Sequence, residues 1–590
     1  MSPPVQRSVV MVLVSALAQL VFVVGTDEAE LLTAWLPDDA FYCLQPAWAF
    51  GKGQGFTFDG LTATYGFQPL WTLILGSLAT VLGSKSQLLV ASLLLGGVAH
   101  LTTGALLFAC LQRWGHPDAG VLAAALWLLN PDLVRLQATG LESGLVGVLL
   151  MLILLAAPPR ISGTSEPPSA RRALLLGGLC GLMFLARVSL GPVAVIVGGW
   201  LWLRSRRNGL LFGLGCLAVA VPWLVWADHA LGQALPLSGD RKLIGGPAGL
   251  ARFAATFPGV TPAFAQSLLG PREALLFHSQ QFATPSWERL WTLGPRATAG
   301  WAFGHWLPSS LRGADLLRAG GLLGVGVTAV AGWRLRAGRV PVQVWVLMAV
   351  GSGHALAHHL LLSSYVEYSY WYRVPELLTG VLLVALLLAP ARRVRGPLLR
   401  AGAAALVVVG GLGGGDFLLK MQPRPFDQGA DRVSVGVLSV ARSMSERLPA
   451  GTQVGAWNAG LLGWAANGPV VRNLDGLANS VAFGPVAEAE ILFRHGVGTR
   501  NPTLDWLHES DVRYLVDLHP IDGLGTTPFY DLIPPEHYRP ILRSPPVTRW
   551  GQARRDHAVA LVGLVPRPPG APTSPAGSGP PRSTLPPPHR

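Results

Sequence analysis

Charge is what this chain has least of. Only 13% of its 590 residues are Asp, Glu, Lys or Arg, against roughly 25% in soluble domains, while half are hydrophobic and the mean hydropathy is +0.42. That balance excludes an ordinary soluble enzyme and implies a polytopic membrane protein. Acid is scarcer than base, with 32 Asp+Glu against 45 Lys+Arg and a net charge of +13. The basic residues cluster in short loops between apolar segments, so topology accounts for the excess and a nucleic-acid partner is not expected. Cysteine is scarce too. Cys110, Cys180 and Cys216 lie within apolar runs and Cys43 in a polar loop, which gives neither a disulfide framework nor a metal-ligand spacing. There is no repeat of fixed period and no inverted-repeat pattern of the kind transporters carry. No small-residue cleavage site follows the first apolar run, so residues 8–25 read as a retained anchor. The lack of a usable glycosylation sequon or an ER-retention tail, with the short cytoplasmic loops, points to a bacterial plasma membrane.

Runs of roughly 20 apolar residues can each cross about 30 Å of hydrocarbon, and Lys/Arg in the connecting loops mark the cytoplasmic side. Arg7 places the N-terminus inside, residues 8–25 exit, and the polar stretch 36–71, LPDDAFYCLQPAWAFGKGQGFTFDGLTATYGFQPLW, lies outside. The run at 69–83 has only 15 residues, too few to span, and is expected as a helix at the outer interface. Residues 87–111 then travel inward and put Arg113 in the cytoplasm. Residues 119–137 return outward and deliver Glu142 to the face that carries Asp38. After 143–157 comes an inner loop with Arg160, Arg171 and Arg172, so 173–203 must be a hairpin whose outer turn holds Arg187. Residues 209–227 exit into a long outer loop at 228–313, and the alternation continues through 315–333, 341–361, 374–390 and 401–416. The total is about eleven spans, with the N-terminus inside and the C-terminus outside.

The chain divides at 416. Residues 1–416 form the transmembrane domain, and 417–565 alternate helical patterns with strand-like runs such as TQVGAWN, VRYLVD and VALVGLV, the mark of a small α/β domain. Helices are expected at 430–448, near 485–495 and at 503–510. The Pro-, Ser- and Gly-rich tail, 566–590, has too little apolar residue to build a core and reads as disordered.

Two adjacent carboxylates just outside a membrane, Asp38 and Asp39, with Glu142 returned to the same face, suit general-base chemistry at an interface. Fixed cations on that face, Arg187, Arg241, Lys242 and Arg373, suit an anionic leaving group. Each residue also has a plainer reading. Asp38 and Asp39 follow Pro37 as acids in a first helical turn, Glu142 can cap the span that follows, Arg187 can snorkel to headgroups, and Lys242 can be a solvated loop charge. His354 and His358 have the i, i+4 spacing of a metal pair but sit on an apolar span, where a hydrogen-bonded role is simpler. Asp475 in RNLDGLAN reads as a turn acid.

The pattern DDAFYCLQPAWAFGKGQGFTFDG…YGFQPLW closely resembles the first outer loop of the GT-C glycosyltransferases, in the bacterial branch akin to dolichyl-phosphate-mannose protein mannosyltransferases and lipopolysaccharide sugar transferases. The resemblance continues in order through ATGLESGL, FLAR (184–187), LPLSGDRK (235–242), YWYRVPELL (370–378) and VGAWNAGLLG…VVRNLDGLANS, covering roughly residues 8–565. It implies a GT-C fold of about eleven membrane helices with outer juxtamembrane helices, plus an extracytoplasmic α/β domain. It also implies an inverting transferase that moves one sugar from a polyprenyl-phosphate donor to a glycan, lipid or protein hydroxyl. By this resemblance Asp38 is the base, Asp39 beside it either orients it or shares a cation with it, and Glu142 is the second acid of the site. Lys242 and Arg373 hold the donor phosphate, with Arg187 and Gln68 beside them. Relatives often carry His or Lys where Gln68 stands, and an acid where Ser189 stands. Asp38, Asp39 and Glu142 also have the chemistry to hold Mg²⁺ or Mn²⁺, although a cationic phosphate clamp makes a metal dispensable. The alternatives are an oligosaccharide ligase, which shares the topology, and a lipid-glycan flippase.

Overall fold

The computed structural model describes residues 3–130, 133, 134, 136, 138–157, 168–236, 374–388, 430–474, 502–520, 538–544 and 557–565. Helix α1 (Pro3–Gly25) turns one apolar side outward, with Val10, Leu13, Leu17 and Val21 exposed, as a helix facing lipid requires. A short turn, α2 (Glu28–Glu30), and a wide π-type turn over Leu31–Trp35 lead to α3 (Asp38–Gly51). A loop follows, then α4 (Pro69–Ala79), which opens on a proline that needs no hydrogen-bond partner at that position. At 11 residues α4 is too short to span. It lies against α3, with Phe50 of α3 next to Gly76 of α4.

Then comes the helical bundle: α5 (Lys85–Arg113), α6 (Pro117–Leu128), α7 (Ser143–Ala156), α8 (Ala170–Ala186), α9 (Gly191–Arg204), α10 (Arg206–Leu231) and α11 (Val374–Leu388). Two described helices, α5 and α10, are long and apolar enough to cross a membrane unaided. Lipid offers no hydrophobic drive between helices, so close contact relies on small residues. Gly177 and Gly181 of α8 meet the backbone of α10 at Phe212 and Cys216, and a side chain at Gly177 would place its Cβ 2.0 Å from the Phe212 carbonyl oxygen. The hairpin expected over 173–203 is present as α8 and α9, joined by a tight turn at Val188–Leu190.

The C-terminal part is a five-stranded sheet in the order β2-β1-β3-β5-β4, built from β1 (Gln453–Ala456), β2 (Val470–Asn473), β3 (Tyr514–Pro520), β4 (Tyr538–Arg543) and β5 (His557–Leu564). β1 runs parallel to β2 and β3, while β5 is antiparallel to both β3 and β4. Strand alternation divides the core. Val559 and Leu561 of β5 pack toward Val440, Ala441 and Met444 of α12 (Ala430–Arg447), whereas Ala560 and Val562 pack toward Trp506 and Leu507 of α14 (Pro502–Glu509). The short α13 (Gly460–Ala465) connects β1 to β2. The first cluster also contains Tyr42 and Phe58 from the α3 region, and Leu461 and Trp464 of α13 join the core of α3 and α4. The sheet domain is therefore packed directly on the α3 region and the loop that follows it. The helix expected near 485–495 and the spans at 315–333, 341–361 and 401–416 lie outside the described residues.

Candidate active site

Asp38 is the first residue of α3, and Pro37 holds the position before it in extended backbone. Its side chain does not cap its own helix. One carboxylate oxygen accepts from the Leu461 amide at 2.7 Å and the other from the Gly460 amide at 3.1 Å, so it caps α13 of the C-terminal domain. Tyr42, one turn along α3, also hydrogen-bonds the carboxylate. Asp38 is half-buried, and loss of water pushes its carboxyl up from 3.8 to about 6, outweighing the Leu461, Gly460 and Tyr42 hydrogen bonds that favour the ionised form; the neighbouring Asp39 adds repulsion.

Glu142 arrives from the other side. The turn Gly140–Leu141–Glu142 packs on the start of α3, where Gly140 adopts φ +71° and faces Leu36 and Ala40. Trp71, the tryptophan of the Pro-Leu-Trp element, donates its indole N–H to the Gly140 carbonyl at 2.9 Å. The α4 motif thus fixes the turn that aims the acid. Glu142 is 2% exposed and makes a buried ion pair with Arg187, which is also 2% exposed. Both the Nε and one terminal nitrogen of Arg187 donate to the same Glu142 oxygen, Oε1, and Oε2 has no hydrogen-bond partner among the described residues.

Gln68 stands just before α4, and its amide oxygen accepts from the Val188 amide at 3.4 Å, linking α4 to the residue after Arg187. Cys43, buried on α3, lies within electrostatic reach of both Glu142 and Asp39, beside Thr72 and the Gln68 backbone. Burial, with those two acids, pushes its thiol up to about 12, which rules out a thiolate nucleophile at neutral pH. The structure thus gathers Asp38, Asp39, Glu142, Arg187 and Gln68 around the N-terminal end of α3. Lys242 and Arg373, together with Arg241, His354, His358 and Asp475, lie outside the described residues.

Two of these placements bear on the sequence readings. Arg187, which the resemblance sets beside the residues that hold the donor phosphate and which could also snorkel to headgroups, has its guanidinium buried and engaged by Glu142. Asp38, Asp39 and Glu142 were considered as ligands for Mg²⁺ or Mn²⁺, yet among the described residues no three His, Cys, Asp or Glu side chains converge on one point. One oxygen of Glu142 is held by Arg187 and both oxygens of Asp38 by amides. This donor set does not fit a three-ligand metal site.

No protein-family model and no curated protein matches the sequence. Solved structures do match. The oligosaccharyltransferase of Archaeoglobus fulgidus, in the apo form, aligns over 89% of this chain and 71% of its own, with 14% identity and a TM-score of 0.51. The chain shares the fold of this archaeal oligosaccharyltransferase. The same archaeal enzyme, AglB, in complex with an inhibitory peptide and a dolichol-phosphate, aligns over 89% and 70% at 13% identity and a TM-score of 0.48. ArnT from Cupriavidus metallidurans, bound to undecaprenyl phosphate, aligns over 94% and 97% at 14% identity and a TM-score of 0.39.

Sequence reasoning overlooked several residues that build this candidate site. Tyr42 accepts from the Ala459 amide at 3.0 Å and from the Asn473 side-chain amide at 3.1 Å. Asp59 pairs with Arg472 of β2 at 2.9 Å, with both side chains buried. Gly460 lies so close to Asp38 that an added Cβ would sit 2.3 Å from its backbone oxygen. Two one-dimensional signals were available: the i, i+4 spacing of Asp38 and Tyr42 on one helix, and the glycine that opens GLLGW.

Proposed function

We propose that the chain is an inverting glycosyltransferase that moves a monosaccharide from a polyprenyl-phosphate donor to an acceptor hydroxyl at the outer face of a bacterial plasma membrane. The observation that carries this reading is the meeting, at one end of α3, of Asp38, whose carboxyl titrates close to neutral pH, with Asp39 and the buried Glu142–Arg187 pair. Asp38 takes the proton of the acceptor hydroxyl as its oxygen bonds to the anomeric carbon. The bond from that carbon to the lipid phosphate breaks on the opposite side, and the phosphate leaves with the electron pair. Asp39 orients the base, and Glu142 holds Arg187 in place. Gln68, Lys242 and Arg373 steady the phosphate, as the sequence resemblance implies. No step needs a metal.

The test is sugar transfer in purified membranes, using a panel of radiolabelled polyprenyl-phosphate monosaccharides with wild type and Asp38→Asn, each with and without EDTA. Labelled product from one donor, lost by 10²-fold or more in Asp38→Asn and unchanged by EDTA, is the expected outcome. Absence of product from every donor with folded protein would overturn the assignment in favour of ligase or flippase activity.

A further inference from the structure

We propose that Asn473, acting through Tyr42, is a positioning residue for the Asp38 carboxylate, which makes the C-terminal domain a working part of the catalytic site. The inference rests on the transferase reading for its kinetic consequence but not for its geometry. Three consecutive amides at the start of α13, those of Ala459, Gly460 and Leu461, are all taken up by α3: the first by the Tyr42 hydroxyl and the other two by Asp38. Tyr42 receives a second donor, Nδ2 of Asn473, at 3.1 Å. With both acceptor positions of its oxygen filled, its own proton is left for Asp38, whose carboxylate it hydrogen-bonds.

Asn473 is itself held firmly. It ends β2, is fully buried, and donates from the same nitrogen to the Trp457 carbonyl at 3.1 Å. The Tyr42 ring is seated on Phe58, with centroids 5.5 Å apart. The chain of contact therefore runs from a strand of the rigid sheet, through a phenol with little freedom to move, to the carboxylate. Gly460 is the one residue type that lets α13 come this close, since any Cβ there would strike Asp38. A carboxylate aimed in this way meets the acceptor hydroxyl at a fixed angle, and misplacement by about 1 Å is enough to lose about 10²-fold in rate.

Tyr42→Phe keeps the ring and removes the hydroxyl, and Asn473→Ala removes the donor behind it. Each should lower kcat about ten- to a hundredfold with donor KM held within about twofold, and the double variant should be no slower than Tyr42→Phe alone, because both act through one chain. A purely structural role would give losses that multiply. A second readout needs no activity: thermal midpoints of the intact protein in detergent for Asp38→Asn, Asn473→Ala and their combination. Non-additive shifts that become additive in a Tyr42→Phe background support the relay even if no sugar donor is ever accepted, an outcome that would sink only the transferase reading. Additive shifts in the Tyr42 background, with transfer activity present, overturn the inference.

Discussion

Asp38 carries two duties that pull its charge in opposite directions. As the cap of α13 it accepts two amide hydrogens, which favour the ionised carboxylate, yet it does so half-buried, and the loss of hydration wins. Its carboxyl therefore titrates at about 6 instead of 3.8. On the proposed transferase reading, the ionised form is the one that takes a proton from an acceptor. Transfer should accordingly be full above this value and fall as the pH drops through about 6, tenfold per unit below it. Measured as kcat/KM against pH, the acidic limb should break near 6 in wild type. A break near 4 would mean that a solvated carboxylate is the base. The Glu142–Arg187 pair adds a contrast. Two residues that sequence reasoning gave to opposite tasks, a catalytic acid and a phosphate-binding cation, neutralise each other in the interior. Such a pair adds little net stability, but it leaves a costly buried charge if either partner is lost.

At the scale of elements, the parts legible in the sequence were those governed by local rules. Apolar runs gave helices near their expected places, the 15-residue run at 69–83 became a helix too short to span, and TQVGAWN, VRYLVD and VALVGLV became strands. β4 and the antiparallel side of the sheet were not foreseen, because strand order depends on pairing between segments far apart in the chain. The same reason hid the role of Trp71. Its motif was visible, but its partner, the Gly140 carbonyl, lies 69 residues away. That turn offers a test. Gly140 is at φ +71°, and an added Cβ would sit 3.3 Å from both Leu36 and Ser92. Gly140→Ala should cost about 1–2 kcal/mol for the left-handed backbone alone, and by moving Glu142 it should slow transfer about tenfold. Gly199→Ala, on an open face of α9 with nothing within 4 Å, is the matching control: it should leave the rate unchanged and should not lower the melting midpoint, since Ala favours a helix over Gly.

At the scale of the molecule, the question is what keeps the sheet domain seated on α3 and the loop between α3 and α4. The apolar contacts of Phe41 with Trp464 and Tyr42 with Phe58 supply area, and the Lys85 ammonium donates to the Trp464 carbonyl at 3.0 Å. The polar lock is Asp59 with Arg472, whose side chains are 2% and 7% exposed. Asp59 is shaped for the task by its own loop, where it accepts from the amides of Leu61 and Thr62 at 2.9 Å each. Arg472 lies between Gln453, to which it donates at 2.8 Å, and the face of Trp506. Removing one member of such a pair leaves the other charged and dry, so Arg472→Met should destabilise the docked arrangement by about 3 kcal/mol. Asp59→Asn combined with Arg472→Met should recover part of that loss, because no buried charge is then left alone. The exposed pair of Arg513 with Asp511, 71% and 66% exposed, is the control, and Arg513→Met should change nothing measurable. Limited proteolysis between the helical bundle and the sheet domain, run beside melting curves, distinguishes undocking from global unfolding. Faster cleavage in Arg472→Met at a temperature where the bundle is still folded would show that the lock holds the two parts together. Cleavage at the wild-type rate would leave docking to apolar packing and to the Asp38, Tyr42 and Lys85 hydrogen bonds.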